Sequence, residues 1–215
     1  ATLTLYTILD RLLLSPPAHV QGADQLRRVM VHGVNPFSGT TTYSQALTYP
    51  DYVDLTRVRG LEHLSGYSAS EMTLGVGASS EKVRTELASA SYFPALGVKP
   101  YRGRFFTAEE DRIGGAQVAG VGYAIWQSHF GGQADALGKE IRIGKGTYTI
   151  IGVAPKGFTG IDLGRIDVWL PLLTAQSLQS GTGWREARRW YWLGGIARLR
   201  SETTDDGGAA GGTTA

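Results

Sequence analysis

"EKVRTELAS", residues 81–89, fits two incompatible periods. Val83, Thr85 and Leu87 alternate as on one face of a strand, whereas Val83, Leu87 and Ala90 keep the spacing of a helix face. Periodicity does not choose between them, so the segments on either side carry the argument.

Upstream, "MTLGVG" (72–77) reads as a strand ending in a turn. "YPDYVDLTRVRG" (49–60) predicts a helix with Pro50 at a first helical position, Gly60 as the C-terminal cap, and Leu55 and Val58 facing inward. "LRRVMVHGV" (26–34) predicts one short strand with Val29 and Val31 on the same face. Leu5, Ile8, Leu9 and Leu12 recur at helical spacing until Pro16-Pro17, which predicts an amphipathic helix over 3–14.

Downstream, "SYFPALGVKPYRGRFFTAEEDRIGG" (91–115) places a turn at Pro100 and Gly103, packs Phe93, Leu96, Phe105 and Phe106, and starts a short helix at Thr107. "AQVAGVGY" (116–123) is a short apolar strand, and Trp126 and Phe130 stand four apart, as on one helix face. The clearest hairpin signal is "KEIRIGKGTYTIIGVAP" (139–155), two β-rich runs around Gly144-Lys145-Gly146. "IDVWLPL" (166–172) and "YWLGGIARLR" (191–200) read as the last strands. The tail, 201–215, has no large apolar residue and reads as a flexible linker. The class is α+β.

Composition agrees with a folded, turn-rich domain. The 215 residues are 42% hydrophobic and include 30 glycines, which favours short elements joined by tight turns over a helical bundle. Twenty-one basic against 19 acidic residues, interspersed, give no broad cationic footprint for nucleic acid. Cysteine is absent, which excludes disulfides, thiolate metal sites and Cys nucleophiles. The first residue is not Met and no signal-peptide pattern is visible, so the chain is expected to be a piece of something longer. "LTLYTILDRLLL" (3–14) is broken by Asp10 and Arg11 and is shorter than the ~20 apolar residues that span a bilayer.

Candidate chemistry resolves into structure. Glu109, Glu110 and Asp111 are adjacent rather than held apart as an acid/base pair requires, and Thr107 with Glu110 makes a capping-box pattern. His19, His32, His63 and His129 form no close pair with metal-ligand spacing. "GVGASS" (75–80) has Ser80 where a dinucleotide fingerprint needs its third glycine, and no Walker A sequence occurs. "GWREARRWYW" (183–192) interleaves arginines with aromatics, a pattern that stacks nucleic acid, but it runs into apolar "LGGIARLR", which favours a strand with Trp190 and Trp192 alternating with Tyr191. No catalytic, cofactor-binding or metal residue is assigned, and no cofactor is expected.

The ordered run "YPDYVDL", "SYFPALGVKPYRGRFFTAEED", "VGYAIWQSHFGG", "LGKEIRIGKGTYTIIGVAPKGFTG", "DVWLPL" and "WLGGIARLR" resembles the MacB-like periplasmic core domain of ABC transporter permeases, in the FtsX/MacB superfamily, over about residues 3–200. The resemblance implies a porter-like βαβ-type subdomain interrupted by a smaller β-rich, Sabre-like subdomain. It implies an amphipathic helix leading from a membrane segment at 1–19, porter-like structure at 20–87, the insert at 88–180, a returning porter-like strand at 181–200 and a flexible tail at 201–215. It makes "EKVRTELAS" a strand. It further implies a non-catalytic periplasmic domain of a bacterial inner-membrane protein that transmits conformational change or docks a substrate or partner protein during export. The implied partners are the membrane-embedded remainder of the permease, a cytoplasmic ATP-binding subunit, and a dimer mate or periplasmic adaptor, with no nucleic acid. The family usually continues past "IARLRSETT" with a further helix, whereas this chain runs into Gly, Ala and Thr. The alternative reading is a secreted or periplasmic hydrolase using dispersed carboxylates.

Overall fold

The computed structural model describes residues 17–34, 41–77 and 80–200. The expected helix over 3–14 and the tail lie outside the described residues. Glu81–Ala88 is a strand, β6, and it explains why its pattern is ambiguous: both of its faces are covered. Val83 and Leu87 enter one apolar core, while Ala88 enters a second core on the opposite side. A strand buried on both sides loses the simple in/out alternation that identifies a surface strand.

Around β6 a ten-stranded mixed sheet is built. Its other strands are β1 (Leu26–Arg28), β4 (Ala46–Leu47), β5 (Leu61–Leu74), β7 (Arg102–Gly103), β8 (Val118–Val121), β9 (Glu140–Ile143), β10 (Gly146–Val153), β11 (Val168–Pro171) and β12 (Leu193–Leu199). The order is β1-β12-β5-β6-β11-β8-β10-β7, with β4 on β12 and β9 joined to both β10 and β5. β6 runs antiparallel to β5 and parallel to β11, and β8 runs parallel to β10. The architecture is α+β, as expected. β2 (Val31–Val34) and β3 (Thr41–Ser44) form a separate two-stranded ribbon.

Helices cover the faces: α1 (Tyr49–Leu55), α2 (Tyr92–Leu96), α3 (Tyr123–Phe130) and α4 (Leu172–Ser180). α1 starts where Thr48 Oγ1 accepts the Asp51 N–H and Asp51 accepts the Thr48 N–H, both at 3.2 Å, with Pro50 in its first turn. It stops earlier than the glycine spacing suggested. Thr56 Oγ1 donates to Val53 O at 2.6 Å, and the chain unwinds through turns before Gly60, whose φ of 94° serves the entry to β5 rather than a helix cap. The hairpin stands as read: β9 and β10 pair antiparallel from Ile143↔Gly146, and Gly144 supplies the positive φ of 56° at the turn.

Three further expectations change. "LRRVMVHGV" is two strands, because Val29 N–H bonds Gly195 O and the chain then leaves the sheet at Met30 to pair with β3. Thr107 opens a single turn, not a helix: Glu110 Oε2 accepts the Thr107 N–H at 2.8 Å, but the next carboxylate, Asp111, is drawn away to the N–H groups of Ala90 and Leu173. Residues 190–192 precede the strand, because Trp190 N–H turns back to Ala187 O and pairing with β5 begins only after Trp192. α4 was not anticipated from "IDVWLPL".

One buried cation holds the chain's ends of this sheet together. Arg198, on β12 and 8% exposed, donates to Ala95 O at 2.6 Å, Gln21 O at 2.5 Å, Gly22 O at 3.2 Å and Gln25 Oε1 at 3.0 Å. All four acceptors are neutral, and the guanidinium fork reaches them from one side chain, which a single ammonium does not do. Replacing Arg198 by Ala is expected to destabilise by about 3 kcal/mol or more, two charged hydrogen bonds at the low end of their range, and Arg198→Lys is expected to recover only part. Urea unfolding of the three proteins checks this.

α3 carries the second test. Trp126 is 3% exposed, packs in the first core, and donates from Nε1 to Gln133 O at 2.9 Å, while Phe130 packs against the same core. Trp126→Ala is expected to cost ~3–5 kcal/mol, the range for a large buried aromatic. An unchanged unfolding midpoint would place the indole outside the core.

Candidate functional site

β5 and β6 pair so that Tyr67 lies opposite Ala88 and Ala69 opposite Glu86, and β11 sets Trp169 beside Glu86. Pairing in register puts partners on the same face of a sheet. The polar side chains Tyr67 and Glu86, with Trp169, are thereby gathered in the second core beneath α2. Above them opens a cleft of about 300 Å³ whose lining includes Arg28, Gln45, Arg84, Asp162 and Trp192.

Arg28 crosses this cleft. Its guanidinium meets Asp162 Oδ1 at 2.5 Å and donates to Tyr67 Oη at 2.9 Å and Ile161 O at 3.1 Å. It therefore links β1 to the loop between β10 and β11. Both carboxylate and guanidinium remain about a third exposed, so the pair is screened by water and positions the loop more than it stabilises the fold. Burial pushes the Tyr67 hydroxyl well above its ordinary pKa, and Asp162 pushes it further, so it acts here as a neutral hydrogen-bonding group.

Glu86 lies deeper. It is 0% exposed, and its Oε2 accepts the Trp169 Nε1–H at 2.7 Å. Burial pushes its carboxyl up to about 7, against the lowering effects of the Tyr92 hydroxyl and the Trp169 indole. Such tuning resembles that of a general acid or base, but such a group must reach the proton that it moves. A fully enclosed carboxyl does not meet a substrate. The cluster lies in the packed interior, and the cleft opens above it.

The residues weighed in the sequence fall elsewhere. Glu110 is tied to Arg104 at 2.7 Å, and Asp111 accepts from the backbone N–H groups of Ala90 at 2.9 Å and Leu173 at 2.8 Å. Burial raises the Asp111 carboxyl, while those two backbone donors lower it. These acids fasten loops. His129 bonds Glu81 at 2.8 Å, His19 bonds Lys156 O at 2.8 Å, and His63 lies on β5 and His32 on β2. The structure does not bring the four histidines together, and among the described residues no group of His, Cys, Asp or Glu gathers as metal ligands do. Gly75 and Gly77 form the turn between β5 and β6. Trp184 is buried edge-on to Tyr49 and Trp192, whereas Trp190 and Tyr191 are 44% and 54% exposed. Sequence reading missed Arg28, Tyr67, Glu86 and Asp162. The available signal was Glu86 itself, an acid between Thr85 and Leu87 in a strand otherwise rich in core residues.

Among the described residues no helix is long and apolar enough to cross a membrane. Among curated proteins, no sequence matches the chain. Solved structures share its fold, three of them being the following. The extracellular domain of the noncanonic ABC-type transporter YknZ from Gram-positive bacteria is 16% identical with a TM-score of 0.60, covering 82% of this chain and 84% of that one. The periplasmic region of MacB from Actinobacillus actinomycetemcomitans is 18% identical with a TM-score of 0.61, covering 87% and 79%. A domain of a putative permease protein from Porphyromonas gingivalis is 18% identical with a TM-score of 0.57, covering 89% and 78%. The MacB-like periplasmic core domain family matches residues 2–207, nearly the whole chain, and the chain therefore belongs to that family of ABC transporter permease domains.

Proposed function

We propose that this domain transmits conformational change between the membrane-embedded part of its permease, driven by a cytoplasmic ATP-binding subunit, and a substrate or partner protein on the far side of the membrane. It does no chemistry of its own. The proposed parts are 20–87 with 181–200, and the insert 88–180, preceded by a helix at 1–19 that leads from the membrane and followed by a flexible tail at 201–215. The observation that carries the reading is how these parts meet. β6, all but its last residue from the first part, is laddered in parallel to β11, from the second, over Thr85↔Val168 to Ala88↔Pro171, and Arg28 reaches across to Asp162 beside that ladder. Force applied to either part is passed through hydrogen bonds and packed side chains rather than through a slack linker.

The exposed pair Trp190 and Tyr191, next to Arg188 and Arg189, favours docking of a partner protein as the second role, since exposed aromatic residues with arginine nearby are typical of binding surfaces.

Cysteines placed at Arg28 and Asp162 of the full-length transporter and joined by a short bifunctional reagent test the first role. ATP-dependent transport or partner release is expected to fall once the parts are locked and to return when a cleavable linker is cut. Unchanged activity in the locked protein would leave the domain as a rigid docking surface. Trp190→Ala separates the two roles, because it is expected to weaken partner binding without affecting the cross-linked block.

A further inference from the structure

Glu86 has no exposed surface and stands on the seam between the two strands that join the parts of the chain. Its Oε2 has one donor, the neutral Trp169 indole at 2.7 Å. Its Oε1 has no hydrogen-bond partner, and neither has the buried hydroxyl of Tyr92, which is close by on α2 but not in good hydrogen-bond geometry. The loop before β11 closes over the group: Gly160 has φ +96°, and a Cβ added there would lie 2.8 Å from Ile166 and 4.0 Å from Glu86 Oε2. A full negative charge with one neutral donor in bonding geometry is poorly matched to this site.

The groups facing Glu86 divide by sign. Arg84, on the same strand, favours the carboxylate, and Tyr92 on α2 and Trp169 on β11 supply dipoles that favour it too. Asp162, from the loop between β10 and β11, opposes it, and the carboxyl in turn raises Tyr67 on β5. Asp162 is itself held by Arg28. Burial outweighs the favourable contacts and keeps the carboxyl protonated up to about pH 7.

We propose that Glu86 is a proton-sensitive latch across the β6–β11 seam: as the neutral acid it lets β6, β11 and α2 close around it, and as the carboxylate it loosens their packing. The latch belongs to this domain alone and holds whether or not the transmission reading does. In the unfolded chain Glu86 loses its proton at the ordinary carboxylate pKa, whereas the folded chain keeps it to about 7, so the fold binds the extra proton in that window. The stabilising contribution of the neutral acid is complete below the window, falls as pH rises through it and is flat above.

Urea unfolding of the wild-type chain and of Glu86→Gln at several pH values from about 5 to 8.5 tests the latch. The ratio of the two folding constants cancels all other titrating groups common to both proteins. It is expected to shift in favour of Glu86→Gln by on the order of a hundredfold as pH rises, levelling above about pH 7. A ratio that does not change with pH, or that moves the other way, overturns the proposal. Should Glu86→Gln not fold, ¹³C NMR of the wild-type glutamate carboxyls replaces it, with one midpoint near 7 expected and a midpoint in the ordinary carboxylate range overturning the idea. The Trp169 indole N–H resonance is expected to shift or broaden with the same midpoint. An indole signal unaffected through that titration would mean that protonation does not reach the seam.

Discussion

A strand covered on both faces leaves no side for a polar residue to reach water, and the second half of β6, Thr85 to Ala88, is such a stretch in this protein. Thr85, Glu86, Leu87 and Ala88 are all buried, and so is every residue of β8 and β11 beside it. The sheet is stable because two cores sandwich these three strands, one lined by Val83, Leu87, Val168 and Leu170, the other by Ala88, Tyr92, Phe93 and Trp169. Glu86 is the ionisable exception in this arrangement. An apolar side chain of the same volume would satisfy the packing at lower cost, since a buried carboxyl with one donor gains little and loses its hydration. Its presence at the seam is what the proposed latch accounts for.

Other buried charges are handled differently. Arg198 and Asp111 are satisfied by backbone groups instead of opposite charges. Each serves a stretch of chain that has backbone groups and no ladder partner: the segment entering β1, the end of α2, and the start of α4. Buried peptide groups must find partners, and a charged side chain supplies stronger bonds than a neutral one. Arg28 and Asp162 form the one link at the cleft that uses opposite charges, and it is also the one most open to water. That pair is therefore more sensitive to salt than the buried bonds of Arg198 and Asp111.

How much of this was legible depends on how local the cause is. The hairpin at Gly144 and the helix at Trp126 follow from neighbours in sequence, turn glycines and a four-residue spacing, and both are present where the pattern placed them. The class, α+β, was legible for the same reason. "EKVRTELAS" was ambiguous because both faces are covered by segments distant in sequence, and only the family's ordered segments made it a strand. The start of α1 was half read: Pro50 was recognised, but the box made by Thr48 and Asp51 went unnoticed. The clustering of Arg28, Tyr67, Glu86 and Asp162 is tertiary in origin. These residues are separated by up to 134 positions, and nothing in the local pattern of any one of them points to the others.

In the proposed division of the chain, relative movement of the parts works against many connections at once, the Arg198 bond to Ala95 O and the His129–Glu81 pair among them. The β6–β11 ladder spans four register positions, β9 touches β5 at Leu74↔Ile143, and Arg28 holds Asp162. By comparison β5 and β6 are paired over eight positions. Each hydrogen bond contributes about 1 kcal/mol net, so parting the ladder entirely costs several kcal/mol before the apolar seam around Trp169 is exposed to water, a larger cost still. Separation is thus an expensive motion for this domain. On the proposed reading, the movement open to this fold is a change in the angle between its parts with the ladder kept, and the proposed latch at Glu86 stands beside that ladder.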